Sequence, residues 1–109
     1  MTSDWSAGGP AVSELAADNG CFDFLNWRCD LLGEISPGGL LSELQARGFE
    51  LRTSHPSLKV LRDASGNEIS WVCSTGRVRL RVDYLLPRER REEEARRLHG
   101  VFVAALRAV

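Results

Sequence analysis

Between Gly76 and Pro87 charge and apolar bulk alternate with period two, Arg77, Arg79 and Arg81 on one parity and Val78, Leu80, Val82 and Tyr84 on the other. Successive side chains of a strand point to opposite faces, so this spacing predicts a half-buried strand. Its apolar set meets a core, its arginines form an outer face, and Pro87 ends the ladder.

Earlier in the chain the period changes more than once. Cys21, Phe24, Leu25, Leu31, Leu32 and Ile35 fall at helical intervals, with Asp18 or Asn19 as N-cap, and predict a helix over about 20–34 with the stem of Arg28 along its stripe. Ser36 as N-cap, Pro37 at the first helical position and Gly48 as a left-handed stop predict a second helix over about 37–47, buried through Leu40, Leu41 and Leu44.

From Phe49 the alternation predicts strands. Phe49 and Leu51 alternate with Glu50 and Arg52 until His55-Pro56, because proline cannot donate to a ladder. Leu58 and Val60 are expected inward, with Lys59 and Leu61 outward, before the turn Asp63-Ala64-Ser65-Gly66-Asn67. Ile69, Trp71 and Cys73 form the inner set of the next strand. A two-residue loop at Thr75-Gly76 would set Cys73 opposite Val78, Trp71 opposite Leu80 and Ile69 opposite Val82, leaving Glu68 against Asp83.

Pro87 opens the last helix. Its stripe is Ala95, Leu98, Val101, Phe102, Ala105, Leu106 and Val109, and Arg88/Glu92, Arg90/Glu94, Glu92/Arg96 and Glu93/Arg97 stand four apart on the exposed side. Gly100 costs about 1 kcal/mol relative to alanine inside a helix, which a close approach to the sheet would offset. The expected class is α+β: an antiparallel three- to four-stranded meander with helices packed on one face, in the order α-α-β-β-β-β-α. Residues 1–12, with Gly8-Gly9-Pro10, are expected to be a flexible tail and 13–109 a single domain.

Composition narrows the reading. With 109 residues, 43% of them hydrophobic, the chain suits one core rather than two. No apolar run approaches the about 18–20 residues needed to cross a bilayer, and Met1-Thr2-Ser3-Asp4-Trp5 has no leader-like basic and apolar regions, so a soluble cytoplasmic protein without membrane contact is expected. Cys21, Cys29 and Cys73 show no ligand spacing and His55 and His99 add none, so neither metal nor cofactor is expected. The net charge of −1 conceals an acidic first 45 residues, in which Arg28 is the only base, and a basic stretch over 46–91.

The arginine row is the main candidate site. Guanidinium groups spaced about 6–7 Å along one strand suit carboxylates or phosphates, with Arg52 and Lys59 placed to extend the row from neighbouring strands. Val72, Leu61 and Leu85 share its parity, and an apolar centre among arginine stems is a common interface composition, including that of a homodimer. Trp5 and Trp27 are further aromatic surface, Trp27 being better suited to covering the helical layer.

His55 is the one side chain in a catalytic-looking setting, although without a second acid or base beside it an exposed turn residue explains it as well. Thr53-Ser54-His55-Pro56 after a helix and Gly48-Phe49, followed by a strand that ends in Asp63-Ala64-Ser65-Gly66, resembles the HicA-type toxins. That resemblance implies a double-stranded-RNA-binding-domain fold, RNA cleavage and a catalytic role for His55. Over about 37–106, a helix, Gly48-Phe49-Glu50-Leu51, a strand meander and Leu86-Pro87-Arg88-Glu89-Arg90-Arg91 before an amphipathic helix resemble the YbjN and type III secretion chaperone group. This second resemblance implies a bacterial α+β protein that dimerises or binds other proteins without chemistry. The leading expectation is therefore a non-enzymatic protein-interaction module, dimeric or partner-bound through the outer sheet face. The alternative is a small RNA-binding or RNA-cleaving domain using the same basic face.

Overall fold

A computed structural model describes residues 11–18 and 24–109. The elements are β1 (Ala11–Val12), β2 (Ala16–Ala17), β3 (Asn26–Leu32), α1 (Pro37–Ala46), β4 (Glu50–His55), β5 (Leu58–Arg62), β6 (Glu68–Val72), β7 (Arg77–Arg81) and α2 (Arg88–Arg107). The class is α+β. All strand pairs are antiparallel, in the order β1-β3-β7-β6-β5-β4, with β2 also paired to β3.

The largest departure from the sequence expectation lies at β3. Asn26–Leu32 is a strand rather than part of a helix, with Trp27, Cys29 and Leu31 buried and Arg28, Asp30 and Leu32 exposed. A helical stripe through Leu25, Leu31 and Leu32 omits Trp27 and Cys29, whereas period two buries both. Burial of these side chains, together with five paired positions against β7, favours the strand. Residues 19–23, where the expected helix would begin, lie outside the described residues, as do Trp5 and Cys21. Ala11 and Val12, counted with the tail, pair with Leu32 and Leu31 of β3.

The second expected helix forms as its signals indicate. Ser36 Oγ accepts the Gly39 N–H at 3.3 Å, Pro37 occupies the first turn, and Gly48 stops the helix at φ +97°. Leu40 and Leu44 are fully buried. Because β3 and β4 lie far apart in the sheet, α1 carries the chain across one face, packing against α2 and β4.

The meander β4-β5-β6-β7 is present, with two corrections of register. Across the last hairpin Trp71 faces Val78, Ile69 faces Leu80 and Glu68 faces Arg81. The connection is longer than two residues: Gly76 N donates to Val72 O at 2.9 Å, and Cys73 N turns away to Ser57 O. Gly76 is at φ +78°, and a Cβ there would lie 2.5 Å from Leu31 O, so this turn is pressed against β3. The slip is of even length, so every side chain keeps its face while changing its partner.

In β5 the faces themselves are exchanged. Leu61 pairs with Leu51 and Ile69 and is fully buried, while Lys59 pairs with Trp71 on the same inner face. Leu58 and Val60 point outward. Three apolar residues in five leave the parity of β5 open in the sequence; in the fold Leu61 is enclosed between Leu51 and Ile69, and Arg62 meets Glu68 at 3.1 Å on the outer side.

Both helices roof the inner face. Ala95, Leu98, Phe102, Ala105 and Leu106 of α2 join Leu40, Leu44, Trp27, Ile69, Trp71, Val78, Leu80 and Val82 in one core. Each fully buried large side chain contributes about 1.5–3 kcal/mol. Val101 is half-buried and Val109 half-exposed. Gly100 is exposed with open space around it, so no close helix–sheet approach explains it. Of the expected helical ion pairs Glu92–Arg96 forms at 2.7 Å, while Arg90 pairs with Glu93 and Arg97 with Glu94, each three apart, and Arg88 lies over the Phe24 ring. Tyr84 and Leu85 are 67% and 74% exposed, because β7 ends at Arg81 and the chain turns with Leu86 N donating to Asp83 O.

Asn67 is the one fully buried polar residue among the described residues. Asn67 Nδ2 donates to Asp63 Oδ2 at 3.0 Å and to Glu94 Oε2 at 2.7 Å, and its Oδ1 accepts the Asp83 N–H at 2.9 Å. This side chain joins the β5–β6 turn, the end of β7 and α2.

Candidate functional site

Antiparallel pairing aligns the outer face in three rows, since directly opposed residues share a face. The first runs His55, Leu58, Val72, Arg77, Asp30 and the second Thr53, Val60, Ser70, Arg79, Arg28, Ala16. Glu50, Arg62, Glu68, Arg81 and Asn26 make the third. Neither helix covers these rows, because the core and both helices lie on the other side.

The rows divide the face into two zones. Leu58, Val60 and Val72 form a half-buried apolar strip on β5 and β6. Arg77, Arg79, Arg81 and Arg28 form a block of exposed guanidinium groups on β7 and β3. Arg28 and Arg79 are direct cross-strand partners, with Cα atoms about 4.5–5.5 Å apart by the geometry of such pairs. Opposed like charges destabilise a sheet. Asp18 Oδ2, 3.4 Å from Arg79 Nε, is the one carboxylate that pairs with any of the four among the described residues.

The remaining acids of the face are mostly engaged. Glu68 pairs with Arg62 at 3.1 Å and Glu50 with Arg52 at 2.8 Å. Asp30 stands opposite Arg77 without forming an ion pair. Beyond Arg81 the face ends in a cleft of about 370 Å³ lined by Arg62, Glu68, Arg81 and Tyr84 among others.

The expected site residues therefore separate. Arg77, Arg79, Arg81 and Val72 share the outer face; Leu61 and Lys59 belong to the inner face, and Arg52 sits at the irregularity of β4 with its guanidinium on Glu50. Leu85 lies beyond the end of the sheet. Arg28 is the member that sequence reasoning placed on a helix, although its alternation with Trp27 and Cys29 carried the signal.

His55 is exposed at the β4–β5 turn. Its Nδ1 accepts the Ser57 N–H at 3.1 Å and lies 2.9 Å from Ser57 Oγ, and no carboxylate is hydrogen-bonded to the ring among the described residues. His99 Nε2 donates to Ser13 O at 2.9 Å and fastens α2 to the segment between β1 and β2. Burial, with a smaller contribution from the Asp30 charge, pushes the Cys29 thiol up to about 12, which leaves it protonated and inert. Cys73 is a second free thiol, half-buried in a cleft of about 360 Å³ between the β3–α1 connection and the β6–β7 turn. Trp71 also walls that cleft, but its Nε1 is shielded from solvent and has no hydrogen-bond partner among the described residues. No group of His, Cys, Asp and Glu side chains suited to a metal ion occurs among the described residues. No described helix is long and apolar enough to cross a membrane.

No family model, curated protein or solved structure matches this chain.

Proposed function

We propose that the chain is a non-enzymatic, chaperone-like protein-interaction module of a bacterial cytoplasm that meets a partner, another protein or a second copy of itself, through the outer sheet face. The observation that carries this reading is the direct opposition of Arg28 and Arg79 inside an uncovered block of arginines, beside the apolar strip of Leu58, Val60 and Val72. Such an arrangement opposes folding stability locally and gains from an anionic partner. An apolar patch bordered by arginine is also the composition of many interfaces.

An RNA-binding or RNA-cleaving reading shares the basic face. It is less well supported, since the outer rows carry no Phe, Tyr or Trp among the described residues and their one aromatic ring, His55 on β4, is separated by β5 and β6 from the arginine block. His55 is engaged by Ser57 and has no positioned acid among the described residues.

Light scattering and diffusion of the labelled protein, in buffer and in cleared bacterial lysate, test the proposal. The wild type is expected to form a complex that the Arg79→Glu, Arg81→Glu variant loses while keeping its circular dichroism. A wild type that remains monomeric in both settings, or a variant that associates as strongly, would count against the proposal.

A further inference from the structure

Given that interaction reading, we infer that the outer face is built for an acidic, amphipathic segment of a different protein rather than for a second copy of this chain. The charge inventory of the face carries the inference. Arg28, Arg77 and Arg81 make no ion pair among the described residues, and Arg79 shares only the Asp18 carboxylate. The acids that a second copy would bring are already committed: Glu68 to Arg62, Glu50 to Arg52 and Asp18 to Arg79. Among the described acids of these rows, Asp30 alone is left.

A two-fold interface applies one patch to itself. Face-to-face pairing would therefore either bring the arginine block against its own copy or slide it over the neutral strip, with its charges unmatched. Juxtaposed like charges at an interface disfavour association strongly.

A segment carrying Asp and Glu along one side and Leu, Ile or Phe along the other answers both zones at once. Its carboxylates meet the block of Arg28, Arg77, Arg79 and Arg81, where bidentate pairing suits guanidinium geometry. Its apolar side covers Leu58, Val60 and Val72. The cleft bounded by Arg62, Arg81 and Tyr84 lies beyond the third row, at the end of the face away from Leu58 and Val72, and offers a place for one further side chain.

The test uses the full chain and three fluorescent probes: a synthetic peptide of Glu and Leu at helical spacing, its Gln and Leu analogue, and a uridine oligonucleotide of equal charge. The acidic peptide is expected to bind with an affinity that falls as salt rises, and about tenfold or more tighter than the Gln analogue. Arg28→Glu with Arg79→Glu should weaken it at least tenfold, and the neutral pair Arg28→Gln with Arg79→Gln should do so by a smaller factor. Arg96→Glu, on the helical layer, should leave it within about twofold. Circular dichroism identifies any variant that fails to fold, and the neutral pair then decides.

Equal affinity for the acidic peptide and its Gln analogue overturns the inference, as does tighter binding of the oligonucleotide. Self-association that Arg79→Glu abolishes, with no peptide binding, overturns the acidic partner while preserving the interaction reading. Absence of both self-association and peptide binding removes the two together.

Discussion

At the scale of single residues, Arg28 is the most informative side chain. It stands opposite Arg79 where a glutamate would give a favourable cross-strand pair, and such pairs differ by about 0.2–1 kcal/mol. Arg28→Glu should therefore stabilise the isolated protein by up to about 1 kcal/mol, read as a rise in urea midpoint at constant slope. The same substitution should reduce partner binding, and an unchanged or lower midpoint would show that the apposition carries no strain. Stability surrendered at a binding surface is a familiar trade. Arg28 was legible in part: its neighbours Trp27 and Cys29 alternate around it, but the competing helical spacing of Leu25, Leu31 and Leu32 draws the eye first. Asn67 gave less warning, since a turn asparagine is ordinarily exposed and nothing local indicates that Glu94, far along the chain, will receive its amide.

At the scale of elements, that asparagine holds three pieces together. Asn67→Ala would leave the Asp83 N–H without its acceptor and take one donor each from Asp63 and Glu94, whose oxygens keep Arg97 beside them, and a buried polar group left unsatisfied costs about 1–3 kcal/mol. The expected loss is about 2 kcal/mol by urea denaturation, with faster amide exchange at Asp83 and along the β5–β6 turn; a loss below about 1 kcal/mol would show that the network is dispensable. Strand positions from Glu50 to Arg81 were readable because period two survives burial, and α1 because its caps are written in Ser36, Pro37 and Gly48. The pairing partners were not, because an even slip at Cys73–Gly76 leaves every face unchanged. The parity of β5 was hidden for a related reason, as Leu58, Val60 and Leu61 satisfy either face until Leu61 is enclosed between Leu51 and Ile69. β1 and β2, two residues each, are too short for any periodic signal and exist only because β3 offers them an edge.

For the whole molecule, the acid limb of stability should carry the signature of Glu94. The hydrogen-bonded Arg97 guanidinium, aided by the Asn67 amide, holds its carboxyl below the usual value of 4.5 against the opposing effect of burial. A depressed carboxylate contributes stability that is fully present above its unfolded pKa and is lost as pH falls through the folded one. The protein should therefore lose stability as pH drops below about 4.5, and Glu94→Gln should flatten that slope while lowering stability at neutral pH. Parallel slopes for wild type and variant, measured by thermal melts across that range, would assign the acid limb to other carboxylates.

The two margins of the sheet bear on how this protein can join anything. One margin is β4, irregular at Arg52 and edged with charge; the other is broken into β1 and β2. Neither offers the long, flat, unpaired ribbon on which strands of other chains accumulate into fibres. On the interaction reading proposed above, recognition falls to side chains on a surface whose backbone is already saturated. Such a surface can be rewritten one substitution at a time, and a lineage carrying this fold is free to change allegiance without relearning how to fold.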